Sequence, residues 1–433
     1  MVWGCGILKP MKRVNMYYNH RNMLTPVSEW NMMLPRLADA RREVIRLADT
    51  GTQGFMNLPF DRYAQRMTLK AAERFKKKCT DLVVLGIGGS DLGARALYQT
   101  LIDETRHKGI RLHFSGSSTD PDDLARLIRT LDFKRTSINV ISKSGGTLET
   151  MAAFLVLREK LQKHLGIKTA SERIIATTDP ESGSLRELAH KEHYPMLPIP
   201  PNVGGRFSVL TAVGLFPAAV AGLQTASILR GASAVARSFQ NSSAEDCHVC
   251  RFSGLHVLGM ERRKQNIHIT MPYSKRMSEF ASWVRQLIAE SLGKKGKGPT
   301  PVACIGPEDQ HSQLQLWSEG PKDKIVTFIE VKMFQEELRT PRFKSGDKTI
   351  DGFGGKSFTN LIHLERYATA TSLHKLKRPN ATITIPQLDE TTLGELFMFY
   401  ELSVAMMGQL MKVNAYDQPG VEHSKKLIRQ GLN

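Results

Sequence analysis

The chain is poor in cysteine and has no long apolar run, and both shortages restrict the class of protein. Only five of its 433 residues are cysteines, an odd and scattered set that does not resemble a disulfide framework. The longest apolar stretch, residues 209–223, contains Thr211 and Pro217 and is shorter than the roughly 20 residues that cross a bilayer. Because the N-terminal residues also lack the apolar core of a secretion signal, we expect a cytoplasmic protein without a membrane span.

The cysteines provide few ligands for a metal ion. Cys247 and Cys250 form one CxxC pair with His248 between them, whereas a zinc site needs a second pair or histidines at a matching spacing. The surrounding segment, residues 247–259, has the apolar character of a strand. Buried free thiols are therefore favoured over a metal or redox site.

Acidic residues are also in short supply. The chain has 42 aspartates and glutamates but 60 lysines and arginines, so its net charge is +18. Such a charge suits a nucleic-acid or anionic-lipid partner, but the basic residues are spread along the chain and no RNP, zinc-finger or heptad motif accompanies them. A basic solvated surface, or a positive field that attracts a dianionic phosphosugar, is favoured over nucleic-acid binding.

What the sequence does contain is a regular alternation of strands and helices. Short apolar runs at residues 81–86 and 137–141 each lead through a glycine-rich loop into a helical pattern, which is typical of a parallel sheet covered on both faces. A second series follows a helical stretch at residues 211–238. Its strand candidates are residues 256–259, 266–271, 302–306 and 325–331, with helices predicted at residues 278–292 and 310–318.

This alternation predicts two α/β domains that meet near residues 205–245. We place the first domain at residues 76–215 and the second, which includes the C-terminal helices, at residues 240–433. Residues 1–75 are interpreted as a helical segment that packs on the core, because polar and apolar residues are mixed at helical spacing over residues 30–48.

Two glycine-rich loops follow strands and precede helices. The first presents Gly89 and the hydroxyl of Ser90 at a helix N-terminus, where backbone N–H groups and the helix dipole favour an anion. Its spacing is neither a P-loop nor a dinucleotide fingerprint, and a capped turn explains it nearly as well. The second loop, residues 142–147, offers more phosphate ligands. They are Ser142, Lys143, Ser144 and Thr147.

Five further side chains are candidates for chemistry. Arg206 follows two glycines and suits a phosphate or a developing enediolate. Gln286 and Glu290 are four residues apart and share a helix face, and a glutamate in a partly apolar cleft can act as a base. His311 opens a helix, which favours acid–base work near neutrality, and Lys425 lies close to the C-terminus. Each of the five is also ordinary when considered alone.

Together these segments resemble the phosphoglucose isomerase family, in particular its compact bacterial-type members. The matching segments, in the family's order, are residues 83–97, 141–150, 203–217, 285–296, 306–321 and 414–427. The resemblance implies two sugar-isomerase (SIS-type) three-layer αβα domains with parallel-rich sheets. It also implies a homodimer with the active site at the domain and subunit interface, and neither a metal nor an organic cofactor.

The resemblance gives each candidate a role in aldose–ketose isomerisation of glucose 6-phosphate and fructose 6-phosphate, a step of glycolysis and gluconeogenesis. Glu290 resembles the base that moves a proton between C2 and C1 through a cis-enediol, with Gln286 close by. Arg206 resembles the arginine that stabilises the enediolate. His311, contributed by the other subunit, and Lys425 would open the sugar ring. The phosphate would be held by Ser142, Lys143, Ser144 and Thr147, with Gly89 and Ser90 beside them.

Two departures and two alternatives accompany this interpretation. Gly146 stands where members often have threonine, and Ser424 replaces a glycine of the last motif, where its φ range is narrower; neither is a residue assigned to chemistry. A broader enzyme that also accepts mannose 6-phosphate is one alternative. The other is a non-catalytic sugar-phosphate-binding regulator, which the presence of Glu290, His311 and Lys425 disfavours.

Overall fold

The computed structural model describes residues 14–432, in which ten strands form two five-stranded sheets. The strands are β1 (Tyr17–Asn19), β2 (Asp81–Leu85), β3 (Arg111–Ser115), β4 (Thr136–Ile141), β5 (Ile174–Thr178), β6 (Met196–Pro198), β7 (Ile267–Pro272), β8 (Thr300–Ala303), β9 (Lys324–Val331) and β10 (Asn380–Ile385).

The helices of the same residues lie between and around the strands. They are α1 (Val27–Asp49), α2 (Arg62–Lys76), α3 (Leu92–Leu101), α4 (Pro121–Thr130), α5 (Leu148–Leu165), α6 (Ile167–Glu172), α7 (Ser184–Lys191), α8 (Ala212–Val220), α9 (Thr225–Asn241), α10 (His248–Arg263), α11 (Ser278–Leu292), α12 (Gln310–Glu319), α13 (Lys348–Asp351), α14 (Phe358–Lys375), α15 (Glu390–Met411) and α16 (Glu422–Leu432). In this part of the chain, none of the helices combines the length and apolarity needed to cross a membrane.

The first sheet is parallel throughout and has the order β3-β2-β4-β5-β6. Its strands β2, β4 and β5 are buried along their whole length, since side chains of alternate positions enter two separate apolar clusters. Leu82 and Val84 face a cluster with α2, α3 and α8, whereas Val83 and Leu85 face a cluster with α5 and α7. This half of the molecule is therefore a three-layer αβα unit, as the sequence predicts.

The second sheet has the order β1-β10-β9-β7-β8, with β1 as an antiparallel edge and the other pairings parallel. One face packs on the largest apolar cluster, which includes α10, α11 and α15, and the other packs on α12 and α14 through Trp317 and Leu373. The fold-class prediction of two three-layer domains with parallel-rich sheets is confirmed. The predicted domain limits stay a prediction, and residues 1–13 of the N-terminal segment lie outside the described residues.

Helix α15 is the central element of the second half and packs closely along α9. Glycines at the crossing allow backbone-to-backbone approach: a Cβ on Gly394 would lie 1.9 Å from the carbonyl oxygen of Ile228, and one on Gly231 would lie 1.9 Å from that of Thr391. Helix α11 packs on α3 of the first half and on α15. Because it bridges the two halves, α11 brings its own side chains to the loops that follow the first sheet.

The prediction of a strand around residues 247–259 is wrong. Cys247 is the N-cap of α10 and residues 248–259 belong to that helix, and most of their side chains are buried. A helix that is apolar on most of its circumference shows no polar stripe, so its pattern is not distinguished from that of a buried strand. The predicted helical stretch at residues 211–238 is two helices, α8 and α9, separated at Gly222 with a φ of 95°.

Candidate active site

Glu290 and Gln286 project from one face of α11 and are joined by a hydrogen bond. Nε2 of Gln286 donates to Oε1 of Glu290 over 2.9 Å, and the Glu290 side chain is 33% exposed. Gln286 also packs closely against the first glycine-rich loop, because a Cβ added to Gly88 would lie 2.5 Å from Nε2 of Gln286. The carboxylate is thus oriented by a neighbour and is still reachable from solvent.

Arg206 faces this carboxylate from a buried position in a short 3-10 turn, Gly205–Phe207. Its Nε donates to Oγ of Ser291 over 2.7 Å, and its Nη2 donates to the backbone carbonyls of Ala415 and Asp417. Nη1 lies 3.5 Å from Oε2 of Glu290. Burial lowers the pKa of Arg206, while the carboxylates of Glu290 and Asp417 oppose that shift. Hydrogen bonds from Nε and Nη2 therefore fix the guanidinium, and its Nη1 is directed towards Glu290.

The first glycine-rich loop packs against the turn that carries Arg206. A Cβ on Gly89 would lie 2.3 Å from the carbonyl carbon of Gly205, and Oγ of Ser208 donates to the Gly89 carbonyl over 3.4 Å. Glycine is therefore required at this position by close backbone approach. The half-buried Ser90 is the last residue of the 3-10 turn Gly88–Ser90, just before α3.

The second loop, residues 142–147, follows β4 and leads into α5. Because β2 and β4 are parallel neighbours, the loops after them leave the same edge of the sheet, where ligands of open α/β sheets bind. Oγ of Ser142 accepts from the Gly145 N–H and lies 3.4 Å from Oγ1 of Thr147, and Oγ of Ser144 accepts from the Gly146 N–H. The predicted hydroxyls are therefore gathered at a helix N-terminus.

Lys143 is placed differently from its three neighbours. Its Nζ donates to the backbone carbonyls of Pro201 over 2.9 Å and Val203 over 3.3 Å, and burial lowers its pKa. The side chain thus ties the hydroxyl-rich loop to the segment that precedes Arg206. A direct contact with phosphate stays a prediction.

Lys294 and Asp417 join the site although the sequence reasoning did not select them. Nζ of Lys294 lies 3.2 Å from Oδ1 of Asp417 and donates to the carbonyls of Ser291 and Asn414; burial lowers the pKa of this lysine. Lys294 and Arg206 together hold the segment after α15. The sequence positions of Lys294 and Asp417 could have identified them, because both residues lie inside segments that carry the family resemblance, at residues 285–296 and 414–427.

His311 and Lys425 are not brought to this cluster. His311 is exposed at the start of α12, and Lys425 is exposed on α16, where it pairs with Glu422 at 2.8 Å. Among the hydrogen bonds and ion pairs of residues 14–432, none joins either side chain to Glu290 or Arg206. Within one chain, therefore, the predicted ring-opening residues stand apart from the predicted base.

The assembled part of the site combines a carboxylate that can take and return a proton with a buried cation 3.5 Å away. A pre-positioned guanidinium stabilises negative charge that develops on the molecule from which the carboxylate takes a proton. Over the residues that the structure describes, no cluster of three or more His, Cys, Asp and Glu is suited to a metal ion.

Two three-layer αβα units, with a hydroxyl-rich loop after a strand of the first sheet and a glutamate–arginine pair between the two halves, define a protein of the sugar-isomerase class. A family model for phosphoglucose isomerase matches residues 70–432. A glucose-6-phosphate isomerase from Rubrobacter xylanophilus is 40% identical over 380 residues, which cover 86% of this chain and 88% of that protein. The chain belongs to the phosphoglucose isomerase family.

Further relatives agree in sequence and in fold. A glucose-6-phosphate isomerase from Carboxydothermus hydrogenoformans is 39% identical over 394 residues, 87% of this chain and 84% of that protein. The crystal structure of a hypothetical protein from Thermus thermophilus has a TM-score of 0.88 at 32% identity, covering 96% of this chain and 99% of that one. A glucose-6-phosphate isomerase from Chlamydia trachomatis, at 22% identity and a TM-score of 0.84 over 96% of this chain and 88% of that one, shares the fold.

Proposed function

We propose that this chain interconverts glucose 6-phosphate and fructose 6-phosphate in the cytoplasm, as a step of glycolysis and gluconeogenesis. The observation that carries the proposal is the Glu290–Arg206 pair, with 3.5 Å between carboxylate oxygen and guanidinium nitrogen, at the edge where the hydroxyl-rich loop ends. The names of the relatives at 40% and 39% identity support the same substrate pair.

Substrate binding begins at the phosphate. The hydroxyls of Ser142, Ser144 and Thr147 and the N-terminus of α5 form a site for its oxygens, with Gly89 and Ser90 on the adjacent loop. Phosphate lies far from the reacting carbons, so this contact supplies orientation for the sugar. Lys143 contributes by holding the loop against the segment before Arg206.

Isomerisation then proceeds on the open sugar. His311 and Lys425 take the proton from the anomeric hydroxyl and deliver one to the ring oxygen. Glu290, oriented by Gln286, takes a proton from one carbon and returns it to its neighbour through a cis-enediol. Arg206 stabilises the oxyanion of that intermediate, because its position is fixed before the reaction by Ser291 and the carbonyls of the segment after α15.

We also propose that the enzyme is a homodimer in which His311 completes the partner's site. Helix α12 packs on α14, and large apolar side chains are exposed on these two helices and on the segment between β9 and α14, as on surfaces that bind a partner. They are Leu316, Leu338, Phe343, Ile350, Phe353, Phe358, Leu364 and Tyr367. A second copy that covers this face would bury them and carry its exposed His311 towards the neighbouring subunit.

The test of the proposed function is a coupled assay with fructose 6-phosphate and glucose-6-phosphate dehydrogenase, applied to the wild type and Glu290→Gln. We expect turnover to fall by about 10²–10⁴-fold, the usual contribution of a general base, while phosphosugar binding is retained. Glu159→Gln, which changes an exposed carboxylate on α5, is the matched control and is expected to keep full activity.

Other outcomes of this assay point elsewhere. A folded wild type that binds phosphosugar without turnover would contradict the isomerase and favour a sugar-phosphate-binding regulator. Activity that is unchanged in Glu290→Gln would contradict the assigned base. Turnover of mannose 6-phosphate in the same assay format would show the broader substrate range.

A further inference from the structure

Many basic residues of the first half lie directly before a strand of the first sheet. Because β2, β3, β4 and β5 are parallel, the residues before them lie at one edge of the sheet, opposite the edge from which the hydroxyl-rich loop leaves. We call this edge the basic edge, and the segments that form it are residues 76–81, 107–111, 132–136 and 167–174. Its lysines and arginines are Lys76, Lys77, Lys78, Lys108, Arg111, Lys134, Arg135, Lys168 and Arg173.

Backbone hydrogen bonds hold the segments of the basic edge side by side. The Thr80 N–H donates to the Arg135 carbonyl over 2.9 Å, and the Arg111 N–H donates to the Thr80 carbonyl over 3.0 Å. The Ile138 N–H donates to the Arg173 carbonyl over 2.8 Å. Since neighbouring strands are about 4.8 Å apart, the four segments carry their cations across roughly 14 Å.

The carboxylates of the basic edge are fewer than its cations and are already engaged. Asp81 is buried and pairs with Arg111 at 3.0 Å. Glu172 pairs with Lys78 at 3.0 Å, and Asp132 caps a 3-10 turn. Among the ion pairs of residues 14–432, none involves four exposed cations of this edge, which are Lys77, Lys108, Lys134 and Arg135. The edge therefore keeps an excess of positive charge that faces solvent.

Stabilisation of helix ends accounts for only part of this charge. A cation near a helix C-terminus complements the helix dipole, and Lys76 and Lys77 lie at the end of α2. Lys108, Lys134 and Arg135 lie outside the α-helices of the described residues. If these three cations served the fold alone, their removal would lower stability and leave the binding of anions unchanged.

The surroundings of these cations select the kind of anion. A membrane surface is bound by cations that lie beside exposed apolar side chains. The structure describes every residue of the basic edge, and of its large apolar side chains only Ile167 is exposed. The same segments expose no Phe, Tyr or Trp ring on which a base could stack. A row of cations without either feature suits phosphate groups, which nucleic acids present at a rise of about 3.4 Å per nucleotide along a strand.

We propose that the basic edge binds the phosphate backbone of single-stranded nucleic acid and does not read its bases. A row of roughly 14 Å matches about four nucleotides at that rise. The fold gathers here basic residues that are scattered in the sequence, and such clustering on one surface is what nucleic-acid binding requires. Because the basic edge lies opposite the hydroxyl-rich loop, bound nucleic acid leaves the candidate active site open.

Fluorescence anisotropy of a fluorescein-labelled oligouridine, titrated with the full-length wild type, tests the proposal directly. We expect a Kd of about 10⁻⁶–10⁻⁴ M near physiological salt, the range of non-specific binding. The logarithm of the association constant should fall with the logarithm of the salt concentration at a slope of about −3, since each phosphate contact on a single strand contributes about −0.7. An oligocytidine of the same length should bind with a similar Kd. No binding at about 50 mM salt, or a strong preference for one base, would overturn the proposal.

Two double variants locate the binding surface. Lys134→Ala combined with Arg135→Ala removes two exposed cations of the basic edge, and we expect about tenfold weaker binding and a salt slope that is shallower by about 1.4. Isomerase turnover and urea unfolding should be unchanged. Arg262→Ala combined with Lys375→Ala removes the same charge from exposed positions of α10 and α14 and is the matched control. Equal losses of binding in the two double variants would show attraction by net charge alone and would overturn the proposal.

Competition separates the basic edge from the hydroxyl-rich loop, which also fits phosphate. Saturating glucose 6-phosphate is expected to leave the Kd for oligouridine unchanged, because the two sites lie at opposite edges of the sheet. Displacement of the oligouridine would place it at the hydroxyl-rich loop and would contradict the proposal. Vesicles that contain phosphatidylserine serve as the second competitor. Vesicle binding that is lost in the Lys134→Ala, Arg135→Ala variant, without oligouridine binding by the wild type, would make the partner a membrane surface and overturn the proposal.

Discussion

Two groups of site residues differ in how this chain holds them. Arg206 and Glu290 are joined to each other and to Ser291, Gln286 and the segment after α15, and Arg206 is almost fully buried. His311 and Lys425 are exposed at the start of α12 and on α16. The residues of the proposed proton transfer are pre-positioned within one chain, whereas those of ring opening are not.

The two stages of the proposed reaction therefore have different structural requirements. A carbon acid needs a cation and a base fixed before the reaction, since reorganisation would add to the barrier. Ring opening is a proton exchange between oxygens, and in the proposed mechanism its histidine is supplied by the second subunit. Substitutions in both groups of residues test this division.

The largest effect is expected from mixing two inactive variants. Glu290→Gln and His311→Ala should each lower turnover by about 10²–10⁴-fold. If His311 acts across a two-fold interface, unfolding and refolding them together in equal amounts should restore about a quarter of wild-type activity, since half of the dimers have one intact site. Each variant refolded alone is the control. No recovery in mixed dimers would place both residues in one chain's site and would remove the distinction between the two groups.

Arg206→Lys should follow in size. Lysine keeps the charge but not the planar fork that reaches Ser291, the segment after α15 and Glu290 together. We expect kcat to fall by about 10²–10³-fold, the usual loss for one oxyanion-stabilising donor, with KM less affected. Arg230→Lys, at an exposed position of α9, serves as the control. A loss confined to KM would show that Arg206 binds the ground state.

Gly89→Ala should have a moderate effect on stability. The new Cβ would lie 2.3 Å from the Gly205 carbonyl carbon, so the two loops must separate, at a cost of about 1–3 kcal/mol. Gly205→Ala is the matched control, because no atom lies within 4 Å of its Cβ. Urea unfolding and the coupled assay measure both variants; equal stabilities would contradict the close packing of the pre-positioned group.

Lys425→Ala should change stability least. Its partner is the exposed Glu422, and surface pairs contribute little, so the free energy of unfolding should stay within about 0.5 kcal/mol of the wild type. Turnover should still fall by about tenfold, if Lys425 assists ring opening. Lys426→Ala, at the adjacent exposed position, is the control. Equal turnover in the two variants would remove Lys425 from the mechanism.

Much of the fold could be predicted from local pattern. The helix predicted at residues 278–292 has those bounds as α11, and the strands predicted at residues 266–271 and 325–331 are β7 and β9. Helix α10 was missed because burial on most sides removes its periodicity. The three-residue β1 is fixed by pairing with β10 more than 360 residues away, which no local signal reveals.

The sequence predicted which residues form the candidate site better than it predicted the contacts between them. Motif positions identified Glu290 and Arg206, and the structure joins them. The carbonyl contacts of Lys143 and the Lys294–Asp417 pair join residues that are far apart in the sequence. Such contacts depend on the tertiary structure, because a charged side chain pairs with whichever group lies near it in the folded chain. A short basic run such as residues 293–297 gives no sign that one of its lysines is half-buried.

The contacts of Arg206 also have a consequence for how the protein is made. Its carbonyl partners, Ala415 and Asp417, lie 209 and 211 residues further along the chain. A growing polypeptide folds from its N-terminus as it is synthesised, so Arg206 emerges long before the groups that hold it. Until residues 415–417 have emerged, Ser291 and Glu290 are available to this cation, but the two carbonyl contacts that compensate the rest of its burial are missing. The guanidinium of Arg206 can therefore reach its final set of hydrogen bonds only after the segment that follows α15 has been synthesised.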